Sequence, residues 1–285
     1  ALSGTYPSGS TIKPAIAAAA LEEGIITDNT SFLSQGGINV SVWFFPDWLP
    51  GGHGVTNVRK SLAWSVNTFY YYIGGGYNQF SGLGVDLITS YLRKFGFASR
   101  LGIDLPSEQT GFLPSKAWKE KEKNERWYIG DTYNLSIGQG DLLATPLQIA
   151  SMTATVANGG SVYVPKIGYS IVQDNKQEDR QDKVVIGQNI VSKGSLRTVR
   201  LGMRDCVVYG SCRRLASLTT PVAGKTGTAQ WSSNKEPHAW FTSFAPYNDP
   251  EIVLTVLIEE GGEGSRSALP VADEFYRWWQ TYNPA

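Results

Sequence analysis

The chain has 285 residues and a mass of 31.1 kDa, which allows one large domain or two modest ones. Lysine plus arginine and aspartate plus glutamate each number 25, so the net charge is zero and nothing like the basic face of a nucleic-acid or anionic-membrane binder is present. With 41% hydrophobic and 18% charged residues the composition is that of a folded globular domain, and its longest apolar runs, Ala15 to Leu21 and Ile252 to Ile258, fall far short of the roughly 20 residues that span a bilayer.

Pro7-Ser8-Gly9 is a turn signal, and the alanine-rich stretch from Ser10 to Glu23, closed by Gly24, predicts a buried helix with Ser10 at its N-terminus and Pro14 in its first turn. Asp28 to Gly54 has no clear period and reads as loops and short strands. Val55 to Tyr72 predicts two helical pieces meeting near Ser65, the second stopped by Gly74-Gly75-Gly76. Leu83 to Phe97 predicts another helix, its stripe formed by Val85, Leu87, Ile88, Leu92 and Phe95. The charge-rich run Lys116 to Arg126 reads as a solvated helix or loop, and Thr145 to Asn158 as a helix with Pro146 in its first turn.

Val162 to Val172 and Val184 to Ile186 bracket a polar stretch, Gln173 to Lys183, and together predict a hairpin with an exposed arm. Ile190 to Val208 reads as helical. Three strands follow, Pro221 to Gln230, Ala239 to Ala245 and Ile252 to Glu259, as an antiparallel meander, and Leu269 to Tyr282 closes the chain as an amphipathic helix. Helices first, an antiparallel sheet late and a terminal helix over it make an α+β pattern. Cys206 and Cys212, with five residues between them, leave open a small disulfide loop or two free thiols.

Three short motifs carry chemistry. In Ser10-Thr11-Ile12-Lys13 a hydroxyl and an amine sit one helical turn apart, and the neutral amine of a desolvated lysine can take the proton that makes serine a nucleophile. Free amides at a helix start favour the oxyanion of an acyl-transfer intermediate. In Ser65-Val66-Asn67 a hydroxyl and an amide stand at a helix junction, able to relay a proton and hold a peptide, or simply to cap the helix. In Lys225-Thr226-Gly227-Thr228, on a strand, Gly227 reads as making room for an extended peptide beside the strand, with Lys225, Thr226 and Thr228 suited to a terminal carboxylate. Each motif alone is common; the ordered set is not.

That set, with Tyr6 to Pro14, Gly130-Asp131-Thr132, Ile137 to Gly140, Thr145 to Gln148, Lys225 to Gln230 and His238 to Phe241, resembles the class B, monofunctional penicillin-binding proteins, most closely the elongation type. The resemblance implies a penicillin-binding/serine β-lactamase-like transpeptidase fold over 1–285: an antiparallel sheet flanked by helices with a mostly helical subdomain. It implies that Ser10 attacks the carbonyl between the terminal D-alanines of a peptidoglycan stem peptide and that Lys13 is its base. Ser65 would pass a proton to the leaving D-alanine, Asn67 would hold the donor amide, and Lys225 with Thr226 and Gly227 would position the carboxylate. The backbone amides of Ser10 and Thr228 would form the oxyanion hole.

Implied partners are stem peptides, covalently inhibiting β-lactams, a glycan-polymerising glycosyltransferase and other elongation-complex proteins, with no nucleic acid and no cofactor. The implied location is the extracytoplasmic face of the cytoplasmic membrane. Some relatives hold zinc between the first and second motifs. Asp47 and His53 have a suitable spacing here, but Val66 stands where a cysteine ligand is expected, and two ligands do not make a four-ligand structural site, so no metal is expected. His53 then reads as a loop residue making ordinary hydrogen bonds, and His238 as structural. A serine β-lactamase shares the motifs, although the class A E-x-x-L-N arrangement is missing; a non-catalytic β-lactam sensor or wall-assembly module is the third reading. Family members carry an anchor and pedestal before the first motif, and their sheet takes strands from that region, so this chain is expected to be a piece of a longer protein.

Overall fold

The computed structural model describes residues 1–168, 170–173, 176–179 and 183–283. A 3₁₀ turn, Gly9–Ile12, runs into α1, Lys13–Glu22. The expected helix from Ser10 is therefore corrected at its start. Pro14 lies in the first turn of α1, where an amide is not needed, and the tighter winding before it places Ser10 in the 3₁₀ turn. Every residue of α1 from Lys13 to Ala20 is buried, so the helix is a central post with apolar neighbours on all sides.

Two small ladders follow, β1 (Ser31–Ser34) on β4 (Gly54–Asn57) and β2 (Gly37–Val40) on β3 (Trp43–Pro46). Next come α2, Val58–Trp64, and α3, Asn67–Gly75. The break between them is Ser65, left-handed at φ 59°, followed by extended Val66. The remaining helices of this half are α4 (Gly84–Lys94), α5 (Lys116–Lys123), α6 (Ile129–Ser136) and α7 (Pro146–Ala157). In α7 the Thr145 hydroxyl accepts from Gln148 N–H while the Gln148 side chain accepts from Thr145 N–H, a reciprocal cap. One charged residue departs from the solvated reading of Lys116 to Arg126: Lys119 is buried, its ammonium 2.7 Å from Asp131 and 3.4 Å from Glu125.

Short strands β5 (Val162–Tyr163) and β8 (Val185–Gly187) pair, as do β6 (Ser170–Gln173) and β7 (Lys176–Asp179). This matches the expected hairpin, although part of the stretch Gln173 to Lys183 lies outside the described residues. The helix α8, Lys193–Val208, leads to the main sheet: β9 (Ala223–Ala229), β10 (His238–Ala245) and β11 (Ile252–Ile258), antiparallel in the order β11-β10-β9. Finally α9, Ala268–Tyr282, covers one face.

The pleat of β10 sorts its side chains between two cores. Trp240 and Phe244 join α1 and α7, and the Trp240 indole donates to Pro7 O at 3.0 Å. Ala239, Phe241 and Ala245 turn the other way, onto Leu269, Ala272 and Tyr276 of α9. Burying each large side chain contributes about 1.5–3 kcal/mol, and the double burial of β10 fixes its neighbour β9 at the sheet edge. A chain of hydroxyls, Thr153 to Thr242 at 2.7 Å and Thr242 to Thr255 at 2.9 Å, ties α7 across the sheet.

Candidate active site

The turn that carries Ser10 is seated by close backbone approaches that need glycine. Gly9, at φ 52°, donates its N–H to Gly138 O at 2.9 Å, and a Cβ on it would lie 2.6 Å from Thr228 O. A Cβ on Gly138, at φ 75°, would lie 2.1 Å from Gly9 O. The 3₁₀ turn is thus wedged between the loop after α6 and the edge strand β9. Its Ser10 hydroxyl faces a cleft of about 480 Å³ and has no hydrogen-bond partner among the described residues.

One turn on, Lys13 is fully buried. Its ammonium nitrogen donates to Ser65 O at 2.8 Å, Ser65 Oγ at 3.2 Å and Asn67 Oδ1 at 2.7 Å, and lies 4.9 Å from the Tyr70 ring centre. The first and second motifs, more than fifty residues apart in sequence, therefore meet in one network through Lys13. Burial pulls the Lys13 amine down to about 7, opposed by the negative charge of Asp47. At neutral pH a substantial fraction of it is an unprotonated amine.

The left-handed Ser65 aims both its carbonyl and hydroxyl at that amine, a backbone state that costs a non-glycine residue about 1 kcal/mol. Asp47 holds the segment after it. Its Oδ1 accepts from Asn67 N–H (2.8 Å) and Trp48 N–H (3.1 Å), and its Oδ2 from Thr68 N–H (3.2 Å), Thr68 Oγ1 (2.8 Å) and Ser34 Oγ (3.0 Å). Val66, the formal cap of α3, offers no side-chain acceptor, so this buried carboxylate satisfies the helix start from another part of the chain.

The third motif forms the opposite wall. Lys225 is also fully buried, donates to Thr226 O at 2.9 Å, and is held well below the lysine range by burial first and the proximity of Lys13 second. The Thr226 hydroxyl meets Ser211 Oγ at 2.8 Å. The Thr228 carbonyl leaves the sheet edge to accept from Gln139 Nε2 at 3.3 Å. In an antiparallel ladder the N–H and C=O of one residue point the same way, so the Thr228 N–H also faces the cleft. Gly227 corrects the reason given for it from sequence. A Cβ there would meet Thr11 Cγ2 at 2.9 Å and Trp240 Cβ at 3.0 Å. The missing side chain lets the 3₁₀ turn that carries Ser10 pack against β9, while Gly227 itself lines the cleft.

Several cleft residues carried no signal on their own. Ser211 belongs to a loop closed by a disulfide between Cys206 and Cys212, which decides the question the sequence left open. Its N–H donates to Ala63 O at 3.0 Å, so the loop bridges α2 to the third motif. Gln139 lies within a motif stretch, and Trp48, Trp64 and Arg266 complete the rim.

The donor set around Asp47 does not fit a four-ligand zinc site. Both Asp47 oxygens are taken by protein donors, Val66 supplies none, and no group of three or more His, Cys, Asp or Glu residues that could hold a metal occurs among the described residues. His53 also departs from its sequence reading: its N–H donates to Ser34 Oγ, but both ring nitrogens are buried without a hydrogen-bond partner. The ring packs on Trp48, 5.1 Å between centres, and Nδ1 stays 3.9 Å from Asp47, too long for a hydrogen bond. His238 is structural, its Nδ1 accepting from Glu260 N–H at 3.1 Å.

Comparison with known proteins is consistent throughout. A family profile described as the penicillin binding protein transpeptidase domain matches residues 1–277. The peptidoglycan D,D-transpeptidase MrdA of Haemophilus influenzae is 35% identical over 95% of this chain, and that of Escherichia coli 33% over 93%; the chain spans 44% of the length of each. Among solved structures, Pseudomonas aeruginosa PBP2 in complex with WCK 5153 superposes with a TM-score of 0.84 at 33% identity, covering 98% of this chain and 62% of that one. PBP2 from Helicobacter pylori, solved in complex with MreC, gives a TM-score of 0.81 at 31% identity, over 97% of this chain and 50% of the other.

Proposed function

The chain belongs to the penicillin-binding protein transpeptidase family, and from that premise we propose that it cross-links peptidoglycan stem peptides through an acyl-enzyme on Ser10. The Ser10 hydroxyl attacks the carbonyl between the two terminal D-alanines, and the neutral amine of Lys13 takes its proton. Negative charge developing on the carbonyl oxygen is met by the backbone amides of Ser10 and Thr228. When the C–N bond breaks, the departing D-alanine takes a proton passed through Ser65. Asn67 holds the donor amide, while Lys225 and Thr226, with the backbone of Gly227, hold the terminal carboxylate. The amine of a second stem peptide then attacks the ester, giving a new amide and returning the proton to Ser10.

The observation that carries this reading is the fully buried Lys13, hydrogen-bonded to Ser65 and Asn67 one turn from Ser10 and shifted to about 7. A lysine so placed can accept a proton near neutral pH. Intact-mass measurement after penicillin treatment, with Ser10→Ala as control, tests the proposal. A one-to-one adduct on the native chain that lasts many minutes and is lost in the variant is expected. Absence of an adduct would refute acyl chemistry on Ser10, and rapid loss of it would make the protein a β-lactamase.

We further propose that 1–285 is the transpeptidase domain of a longer protein, working at the extracytoplasmic face of the cytoplasmic membrane with a glycan-polymerising glycosyltransferase and elongation-complex proteins. Support comes from the H. pylori complex with MreC and from a peptidoglycan synthase complex that couples polymerization to crosslinking, 32% identical with a TM-score of 0.77 over 94% of this chain and 45% of the other. The Cys206–Cys212 disulfide fits an oxidising compartment. No helix among the described residues is long and apolar enough to cross a membrane.

A further inference from the structure

At the end of α3 away from the cleft lies a cavity of about 530 Å³, lined by two turns, one at Ser41 in the β2–β3 hairpin and one at Asn78 after α3. Both residues are left-handed, at φ 54° and 53°. Among the described residues no lysine, arginine, histidine, aspartate or glutamate lines it. The side chains of Asn39, Ser41, Asn78 and Ser81 have no hydrogen-bond partner among the described residues, so the walls offer neutral amides and hydroxyls to a ligand. Trp43 stands at the rim. It is the cross-strand partner of pocket-lining Val40, hence on the same face of the hairpin, and it is 70% exposed. The strand that carries it is firmly seated: Phe45 packs on Tyr71 and Tyr133, at 6.0 and 4.9 Å between ring centres, and the Tyr71 hydroxyl donates to Pro46 O at 2.9 Å.

The lining decides the class of ligand. A charged group finds no counter-charge here, and a purely apolar one would strand the amides and hydroxyls away from water. What fits is a neutral molecule with many hydrogen-bonding groups and one apolar face to lay on an aromatic ring, which describes an N-acetylated sugar. The distance to the cleft says which sugar. The nine residues of α3 set Gly75, in the pocket wall, about 13 Å from Asn67, which holds the Lys13 ammonium. On the transpeptidase reading, on which this inference rests, the donor lies along β9, so a chain that reaches Ser10 from the α3 wall is the acceptor. Two extended residues between the sugar and an amine-bearing third residue span about 7 Å, and the link to the sugar and the side chain that ends in the amine cover the rest. We propose that this pocket, with Trp43 as its platform, binds an N-acetylated sugar of the glycan strand that carries the acceptor stem peptide.

The test uses the whole chain in two arms. In the first, the peptide-free disaccharide of the glycan strand is titrated and followed by saturation-transfer NMR. Binding is expected, weakened about tenfold by Trp43→Ala and by Asn39→Ala, neither of which lines the cleft at Ser10. In the second, one D-Ala-D-Ala donor is offered two acceptors, the stem tripeptide alone and the same tripeptide on the disaccharide. The sugar is expected to raise acceptor kcat/KM for cross-link formation about tenfold in the native chain, and the ratio should fall toward one in Trp43→Ala while the rate of penicillin acylation stays the same. The ratio is internal to each preparation, so partial misfolding does not move it. No binding of the disaccharide, or an acceptor ratio within twofold for the native chain, overturns the proposal. Capture of phosphatidylcholine vesicles through Trp43 in place of the disaccharide also overturns it and makes this face a membrane contact. If the penicillin adduct forms and the disaccharide does not bind, this inference alone fails; if no adduct forms, the transpeptidase reading fails and the acceptor assignment with it.

Discussion

The two ends of β9 are built in opposite ways. At Lys225 and Thr226 both side chains are buried and hydrogen-bonded: the Lys225 amine on Thr226 O, the Thr226 hydroxyl on Ser211, and Ser211 itself held in a disulfide loop against α2. Four residues on, at Gln230 and Trp231, the chain leaves the sheet and lines a cavity of about 870 Å³, with Trp231 about two-fifths exposed. On the proposed transpeptidase reading the closed end holds the donor's terminal carboxylate beside the scissile bond, and gains from having no freedom.

The comparison can be broken or sharpened by experiment, beginning with the largest effect. Lys13→Met, which fits a buried neutral site without stranding a charge, is expected to lower the rate of acylation by penicillin about 10²- to 10⁴-fold, read by stopped-flow or timed mass spectrometry. A loss under tenfold would show that Lys13, across the cleft from the closed end, is not the base. Thr226→Val removes the hydroxyl proposed to hold the terminal carboxylate and should cost about 10- to 100-fold in kcat/KM for D-Ala-D-Ala peptides, in line with roughly 1.5–3 kcal/mol for such a bond.

The pH dependence comes next. Lys13 acts as a base only when unprotonated, so acylation should rise with pH through about 7, the value to which burial lowers it. The Asp47 carboxylate favours the ammonium form, so removing its charge lowers the Lys13 pKa further. Asp47→Asn should therefore shift the rise to lower pH, while its lost bonds to Asn67 and Thr68 reduce the maximal rate. A profile displaced toward higher pH would sink this assignment.

Smaller again is the paired change Cys206→Ser with Cys212→Ser. Opening so short a loop costs about 2 kcal/mol, seen as a fall of several degrees in Tm, and a few-fold loss in peptide kcat/KM as Ser211 loosens. At the open end, Trp231→Ala should lower kcat/KM for D-Ala-D-Ala peptides by only a few-fold and leave the Tm almost unmoved, since Trp231 is about two-fifths exposed.

The same division explains what could be read in the sequence. The helices and the three-strand meander follow from period, caps and breakers that are local to each segment, and the three motifs are contiguous runs. Ser65 was legible as a junction because helical patterns stop on both sides of it. The role of Asp47 was not, because its partners at 34, 67 and 68 are brought to it by folding. Ser211 has no meaning until the disulfide and α8 set it beside Thr226, and Lys119 looks solvated until α6 supplies Asp131. Gly227 was located correctly for the wrong reason, since the side of the strand from which its Cβ is missing depends on where Thr11 and Trp240 pack.

The glycine contacts around the nucleophile turn also bear on how such a protein can change under an acylating drug. Any side chain at Gly9 or Gly138 drives backbone into Thr228 O or Gly9 O, and one at Gly227 displaces Thr11. Escape by substitution at those positions unseats Ser10 and sacrifices the reaction along with the inhibitor. Heritable variation that spares the reaction is thereby directed outward, to the rim at Trp48, Arg266 and Gln230, where side chains line the cleft without packing on the turn that carries Ser10.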